Sequence, residues 1–348
     1  MYDLHNEMCT FYDRHVRLGD TEKKKLRGYR DANIDRLETG LKKLGYKVPI
    51  CTVGQGSYSM HTMVQHPDND YDIDNAVVFD KDDLPSAPLD ARKRVLAGVK
   101  EGGGNFKQPP EARTNAVTVW YAGGYHIDLP VYRRFFDMFG NEIIEHAGCE
   151  WTRRDPAEIN DWFKEQVAAQ SPSPDNGASV EKGQMRRIVQ LLKMFARSRA
   201  SWALPGGLLI SVLVSERYQS DCDRDDVALY NTMTAIRSRL QWNTEILNPV
   251  DLSLKLTDTT EHVNEVIRFK EKLGKALDWL EPVMKHDCEE LDAYKSWNQV
   301  FQHDYWSELV SGVEMQQAAK YVSSTGTLYL GSSADTSIQS PSHRFYGD

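Results

Sequence analysis

Apolar residues recur at helical spacing from the start of the chain. Leu4, Met8, Phe11, Tyr12 and His15 predict a short helix over residues 3–17. Asp20 or Thr21 can cap a second, longer helix with the stripe Leu26, Tyr29, Ile34, Leu37, Leu41 and Leu44 and Gly45 as its stop. Polar Asn33 falls on the same face as that stripe. The period then shortens. Residues 47–53 read as a strand running into a Gly-Ser turn, and residues 72–79 as the next strand. Residues 80–88 and 101–111, with their prolines and glycines, read as loops around a helix at 89–99. Two apolar segments, 116–121 and 125–132, flank Gly123-Gly124, which is a hairpin signal.

After residue 150 the pattern is helical. Residues 151–170, 180–199, 208–218, 225–242, 259–280 and 287–302 read as helices, broken at 171–177, 204–207 and Asn248-Pro249. Residues 323–348, rich in Ser, Gly and Thr, read as a flexible tail. No internal repeat is visible. The expectation is an α+β chain of two lobes: a core with strands and N-terminal helices over 1–150, a helical lobe over 151–322, and the tail.

Composition adds exclusions. At 348 residues the chain can bury two domain-sized cores. No apolar run approaches the ~20 residues of a membrane helix, and the N-terminus lacks the basic start and apolar stretch of a signal peptide. Five scattered cysteines, with no CxxC pair, suit reduced thiols in a cytoplasm. A net charge of −9 argues against a broad nucleic-acid-binding surface but leaves room for a local basic pocket.

The candidate chemistry lies between residues 54 and 128. On a strand, Asp72 and Asp74 point to one face and Ile73 to the other. Two adjacent carboxylates repel, and a divalent cation resolves the repulsion. Asp128, in the apolar context His126-Ile127-Asp128-Leu129-Pro130, is the best third carboxylate, because a charge there is otherwise costly. Three such groups can hold a two-metal site for nucleotidyl transfer, with Asp128 beside the attacking hydroxyl. The Gly56-Ser57 turn can cradle a triphosphate, with Thr62 fixing the following helix against it. His61, His66 and His126 lie near this site, but the aspartates already supply hard oxygen ligands, so metal ligation by histidine is not expected.

With these residues in place, the sequence resembles the polymerase-β-like nucleotidyltransferases, whose pattern is Gly-Ser, then Asp-x-Asp on a strand, then a third Asp on a later strand. Within that superfamily it is most similar to the bacterial cGAS/DncV-like nucleotidyltransferases of CBASS anti-phage systems. Gln55-Gly56-Ser57 with Thr62 matches the opening motif, and Tyr71-Asp72-Ile73-Asp74 is followed by Val77-Val78-Phe79 as is usual there. The segment Arg186-Arg187-Ile188-Val189-Gln190-Leu191-Leu192-Lys193 resembles the helix whose lysine reaches the donor triphosphate, and Asn248-Pro249-Val250-Asp251-Leu252 resembles a further family segment. The likeness spans roughly residues 20–280. One departure is Pro205-Gly206-Gly207 where many relatives have Pro-Ser-Gly; Ser211 and Ser215 are the candidate substitutes for the missing hydroxyl.

The resemblance implies a bilobal polymerase-β-like fold with the site in the cleft and Asp72, Asp74 and Asp128 as catalytic metal ligands. It implies Gln55, Gly56, Ser57, Thr62 and Lys193 on the nucleotide. The implied ions are two Mg2+, with Mn2+ as the alternative, and the implied substrates are ATP and GTP. The implied product is a cyclic di- or trinucleotide, cGAMP-like, that activates a downstream effector. Arg186 and Arg187 can cradle phosphate or lie along the helix surface. Some relatives carry a C-terminus ending near glycine that a conjugating partner attaches to a target; here Asp348 follows Gly347, and a tail without a role is the default. The alternatives are a nucleotidyltransferase modifying an RNA, protein or small-molecule acceptor, and a non-catalytic nucleotide-binding module.

Overall fold

The computed structural model describes residues 1–67, 71–121 and 124–319, together with the two-residue strands Leu328–Tyr329 and Ser337–Ile338. The tail expected at 323–348 and the Gly123 half of the predicted hairpin turn otherwise lie outside the described residues.

Helix α1 (His5–Phe11) runs on as a wider π turn over Tyr12–Val16, and α2 spans Asp20–Lys43. Asp20 and Glu22 in the first turn of α2 and Lys42 and Lys43 in its last complement the helix dipole. Asn33 sits on the apolar face because it is satisfied there: its amide donates to Tyr29 O at 2.9 Å and to the Tyr121 hydroxyl at 2.5 Å. Strand β1 (Cys51–Gly54), the one-turn helix α3 (Gly56–Ser59) and strand β2 (Asp72–Asp80) follow. Next come α4 (Pro88–Glu101), β3 (Gln108–Ala112), β4 (Val117–Trp120), β5 (His126–Leu129), β6 (Val131–Phe136), β7 (Glu142–Ala147) and β8 (Trp151–Arg153). The helical part comprises α5 (Glu158–Gln170), α6 (Gln184–Arg197), α7 (Gly207–Arg217), α8 (Asp225–Trp242), α9 (Thr260–Leu280), α10 (Glu290–Phe301) and α11 (Asp304–Ala319).

The eight long strands form one mixed sheet. β2 is its axis. Its outer edge pairs antiparallel with β1, and its other edge runs parallel to β5 and then β6. Asp72 faces His126 and Val77 faces Val131, so the offset is unchanged across Pro130. The segment expected as one strand over 125–132 is thus divided only where proline has no N–H to give. β4 continues the sheet beside β5, and β7 and β8 beside β6.

Two expectations change, and two stretches that the sequence left unassigned take up structure. Residues 108–112 are an edge strand rather than a loop; Pro109 and Pro110 are tolerated because an edge strand leaves one row of N–H groups unused. The β6–β7–β8 meander has no clear alternation, since β6 and β7 run from a buried end to an exposed one; Arg133 and Glu145 pair across it at 2.5 Å. Its last strand takes the residues expected to open the first helix of the second half, and α5 starts only after Pro156. Helix α11 extends the helical part beyond residue 302.

Two cores result. Ile73, Val77, Phe79, Val117, Ile127 and Leu129 pack against α2 and α4. The larger core joins α5 to α10, and Leu4, Met8, Phe11 and Val16 belong to it, so the first sixteen residues pack with the helical part. None of the described helices is long and apolar enough to cross a membrane.

Candidate active site

Strand pleating places Asp72 and Asp74 on the face opposite Ile73, and parallel pairing sets His126 beside Asp72 and Asp128 beside Asp74. The result is two rungs of polar residues on one face at the start of β2. Donor atoms of Asp72, His126 and Asp128 all lie within 4.8 Å of one another, and His126 Nε2 is 3.4 Å from Asp72 Oδ1. Among the described residues, Asp72 Oδ1 and Asp128 Oδ1 are buried acceptors without a hydrogen-bond partner. Burial first, then the charges of Asp72 and Asp128, push the Asp74 carboxyl up to about 7. Burial likewise raises Asp128. Orphaned, mutually repelling carboxylates of this kind fit a divalent cation.

The Gly-Ser turn lies directly on this cluster. Gly56 has φ +64°, and a β-carbon there would sit 2.1 Å from Asp74 Oδ2. Gln55 N donates to Asp74 O at 2.8 Å. The Gln55 side chain points away: its amide donates to Pro156 O at 3.0 Å and the Tyr132 hydroxyl at 3.3 Å, tying the turn to the approach of α5. Ser57 lines a small cavity of about 130 Å3 with Tyr71, Asp72, His126, Lys193 and Arg197. Thr62 is buried; its N–H donates to Ser57 O at 2.9 Å, and its carbonyl accepts from Lys193 Nζ at 2.6 Å. Thr62 therefore braces the turn against α6, and its side chain does not face the cavity opening.

Lys193 is nine-tenths buried, which pulls its ammonium down to about 7, with Arg197 adding to the effect. Its chain end runs against the start of α7, where a β-carbon at Gly207 would lie 3.0 Å from Nζ. A cleft of about 1100 Å3 opens from Lys193 and Arg197 past Tyr71, Trp202 and Gly206. That volume suits a nucleotide. Arg197, one turn beyond Lys193 and exposed, was absent from the sequence reading; its signal was the i, i+4 spacing.

Other expectations resolve differently. Arg187 forms a buried pair with Asp225, Nε to Oδ2 at 2.6 Å, and is not available to phosphate. Ser211 is buried and donates to Gly207 O at 2.8 Å, while Ser215 donates to Gln166 at 3.2 Å, so neither replaces the hydroxyl absent at Gly206. His126, expected near the site but not as a metal ligand, offers a ring nitrogen within 4.8 Å of donor oxygens of Asp72 and Asp128.

Residues 51–132 match the family model for cyclic GMP-AMP synthase DncV-like proteins, nucleotidyltransferase domain. The chain is similar in structure to Escherichia coli MS115-1 CdnC with ATP, at 15% identity and TM-score 0.62, covering 86% of this chain and 98% of that one. It is similar to the Bradyrhizobium diazoefficiens CD-NTase CdnG with GTP, at 14% and 0.64, covering 89% and 98%. The Vibrio cholerae DncV cyclic AMP-GMP synthase in complex with the linear intermediate 5′ pppA(3′,5′)pG gives 15% and 0.64, covering 89% and 99%. The segment carrying the turn and the three carboxylates matches a DncV-like nucleotidyltransferase domain, and the chain shares the polymerase-β-like fold of the solved CD-NTases it is similar to.

Proposed function

We propose that the chain is a metal-dependent synthase that joins nucleoside triphosphates, ATP and GTP first among them, into a cyclic di- or trinucleotide. In this reading the product is cGAMP-like, is made in the cytoplasm, and activates a downstream effector in CBASS-type anti-phage defence. One observation carries the reading: three carboxylates lie together on two paired strands, two of them with orphaned oxygens, Asp74 against a glycine turn and Asp72 lining a cavity shared with a serine, a lysine and an arginine. The solved relatives captured with ATP, GTP and a linear dinucleotide support it.

Asp72, Asp74 and Asp128 would hold two divalent ions, Mg2+ or Mn2+. Bound there, such ions neutralise triphosphate charge and acidify the attacking hydroxyl. The chain's own groups do the rest. The Ser57 hydroxyl, Lys193 and Arg197 donate to phosphate oxygens and hold the donor in line. The 2′- or 3′-hydroxyl of one nucleotide passes its proton to the Asp128 carboxylate as its oxygen bonds the α-phosphorus of the next. The bond to the bridging oxygen of the β-phosphate breaks, and pyrophosphate leaves. A second transfer closes the ring.

The test is incubation of the purified chain with the four nucleoside triphosphates and Mg2+, followed by phosphatase treatment and mass spectrometry. A phosphatase-resistant cyclic product is expected. If the triphosphates stay unconverted alone but label an added RNA or protein, the chain is a transferase to an external acceptor instead.

A further inference from the structure

The metal cluster contains a residue that a purely carboxylate site does not need. His126 sits directly opposite Asp72 in the parallel ladder, on the face that carries all three aspartates. Its Nε2 is 3.4 Å from Asp72 Oδ1, beyond a good N–H···O hydrogen bond yet well within the span of a shared ion. Asp72, His126 and Asp128 offer donor atoms within 4.8 Å of one another, and the grouping is made by these three residues. Asp74 is placed otherwise, with Oδ2 held against the backbone of Gly56. Ligands ~2.1 Å from one ion lie at most ~4.2 Å apart, so closure requires a contraction of well under an ångström.

We propose that His126 is a direct ligand of the ion held by Asp72 and Asp128, and that this mixed nitrogen and oxygen set selects Mn2+ over Mg2+ at that position. The inference rests on the nucleotidyltransferase reading above and adds to it the identity of a ligand and of an ion. The chemistry is that of donor softness. Mg2+ prefers an all-oxygen octahedron and parts with water reluctantly, whereas imidazole suits first-row transition ions, and Mn2+ accepts both donor types. Asp72 Oδ1 and Asp128 Oδ1 are buried oxygens that receive no hydrogen bond, which leaves both available to an ion.

The experiment is a titration of the full chain with Mn2+, alone and with a non-hydrolysable ATP analogue, read by electron paramagnetic resonance. Pulsed measurements on the bound ion are expected to show coupling to an imidazole nitrogen, which shifts to the 15N pattern after labelling of histidine. In His126→Asn and His126→Gln the coupling disappears. Mn2+ affinity falls about tenfold or more, while Mg2+ affinity, measured by competition, changes far less. If His126 only steadies Asp72, both ions weaken together in the variants and the wild-type signal carries no nitrogen coupling; that result overturns the proposal. Mn2+ bound without nitrogen coupling but lost in Asp128→Asn removes His126 alone and leaves the carboxylate site standing. A wild-type chain that binds no Mn2+ under either condition removes both.

Discussion

Gly56 and Asp74 are in such close contact that the turn has no room for a side chain: a β-carbon at Gly56 would lie 2.1 Å from Asp74 Oδ2. The same residue has φ +64°, a left-handed conformation that costs about 1–2 kcal/mol for a residue with a β-carbon. Gly56→Ala is therefore expected to lower the melting temperature and to weaken divalent-cation binding by displacing the carboxylate. Adding Asp74→Ala relieves the collision, so the double variant recovers part of the lost melting temperature while remaining without activity. A single Gly56→Ala variant that melts and turns over like the parent would count against this contact.

Asp74 titrates at about 7 because it is buried among like charges. The neutral form prevails below that value, and a cation must displace the proton. Affinity for Mn2+ or Mg2+ is thus expected to fall roughly tenfold per pH unit below about 7 and to level off above it. Calorimetry in buffers of different ionisation enthalpy reads the released proton directly. In Asp72→Asn with Asp74→Asn the repulsion is gone, so the chain stays folded, and pyrophosphate release from nucleoside triphosphates falls by several kcal/mol of transition-state stabilisation. Wild-type pyrophosphate release by that double variant would refute the site assignment.

Lys193 has the opposite sign. Burial lowers its ammonium to about 7, so it is neutral above that value until a triphosphate draws the proton back. Binding of a non-hydrolysable triphosphate is expected to take up a proton above pH 7 and to weaken as pH rises further. Lys193→Met removes a charged donor worth about 1.5–3 kcal/mol, a roughly ten- to hundredfold loss of triphosphate affinity, with little loss of stability because the buried charge also leaves. With Asp74 favouring higher pH and Lys193 lower, turnover should peak near neutrality. A monotonic profile from pH 5.5 to 9 would contradict this pairing.

Two arginines of α6 should separate fold from site. Arg187 and Asp225, with side chains 8% and 1% exposed, form a buried pair. Arg187→Ala strands Asp225 and is expected to cost about 3–5 kcal/mol in chemical denaturation. Arg197 is exposed at the cleft, so Arg197→Ala is expected to leave the denaturation midpoint in place and weaken triphosphate binding. Equal effects of the two variants on stability would show that the cleft arginine is structural.

Much of the site is local in origin and was readable as such. Asp72 and Asp74 share a face because a strand alternates, and Gly56 and Ser57 form a turn because glycine permits it. The apolar stripe of α2 was legible for the same reason, as were the helices near 89–99 and 180–199, since a helix repeats within a few residues. The meander from β6 to β8 was not, because β6 and β7 run from a buried end to an exposed one, so burial is graded along each strand and does not alternate. Nor were the roles of single polar residues on one helix. Arg187 and Lys193 are six positions apart on α6, yet one is spent on Asp225 and the other is held at Thr62 O beside the cleft.

The sequence by itself determined which residues can bear the chemistry: the glycine turn, the paired aspartates, the third aspartate and the lysine helix. Periodicity and backbone freedom act over a few residues and are written in local order. Only the tertiary structure decided which of these meet, because strand register and helix docking join residues 50 to 130 positions apart through pairings that no local pattern encodes. That is how His126 came to stand beside Asp72, and how Lys193 came to Thr62.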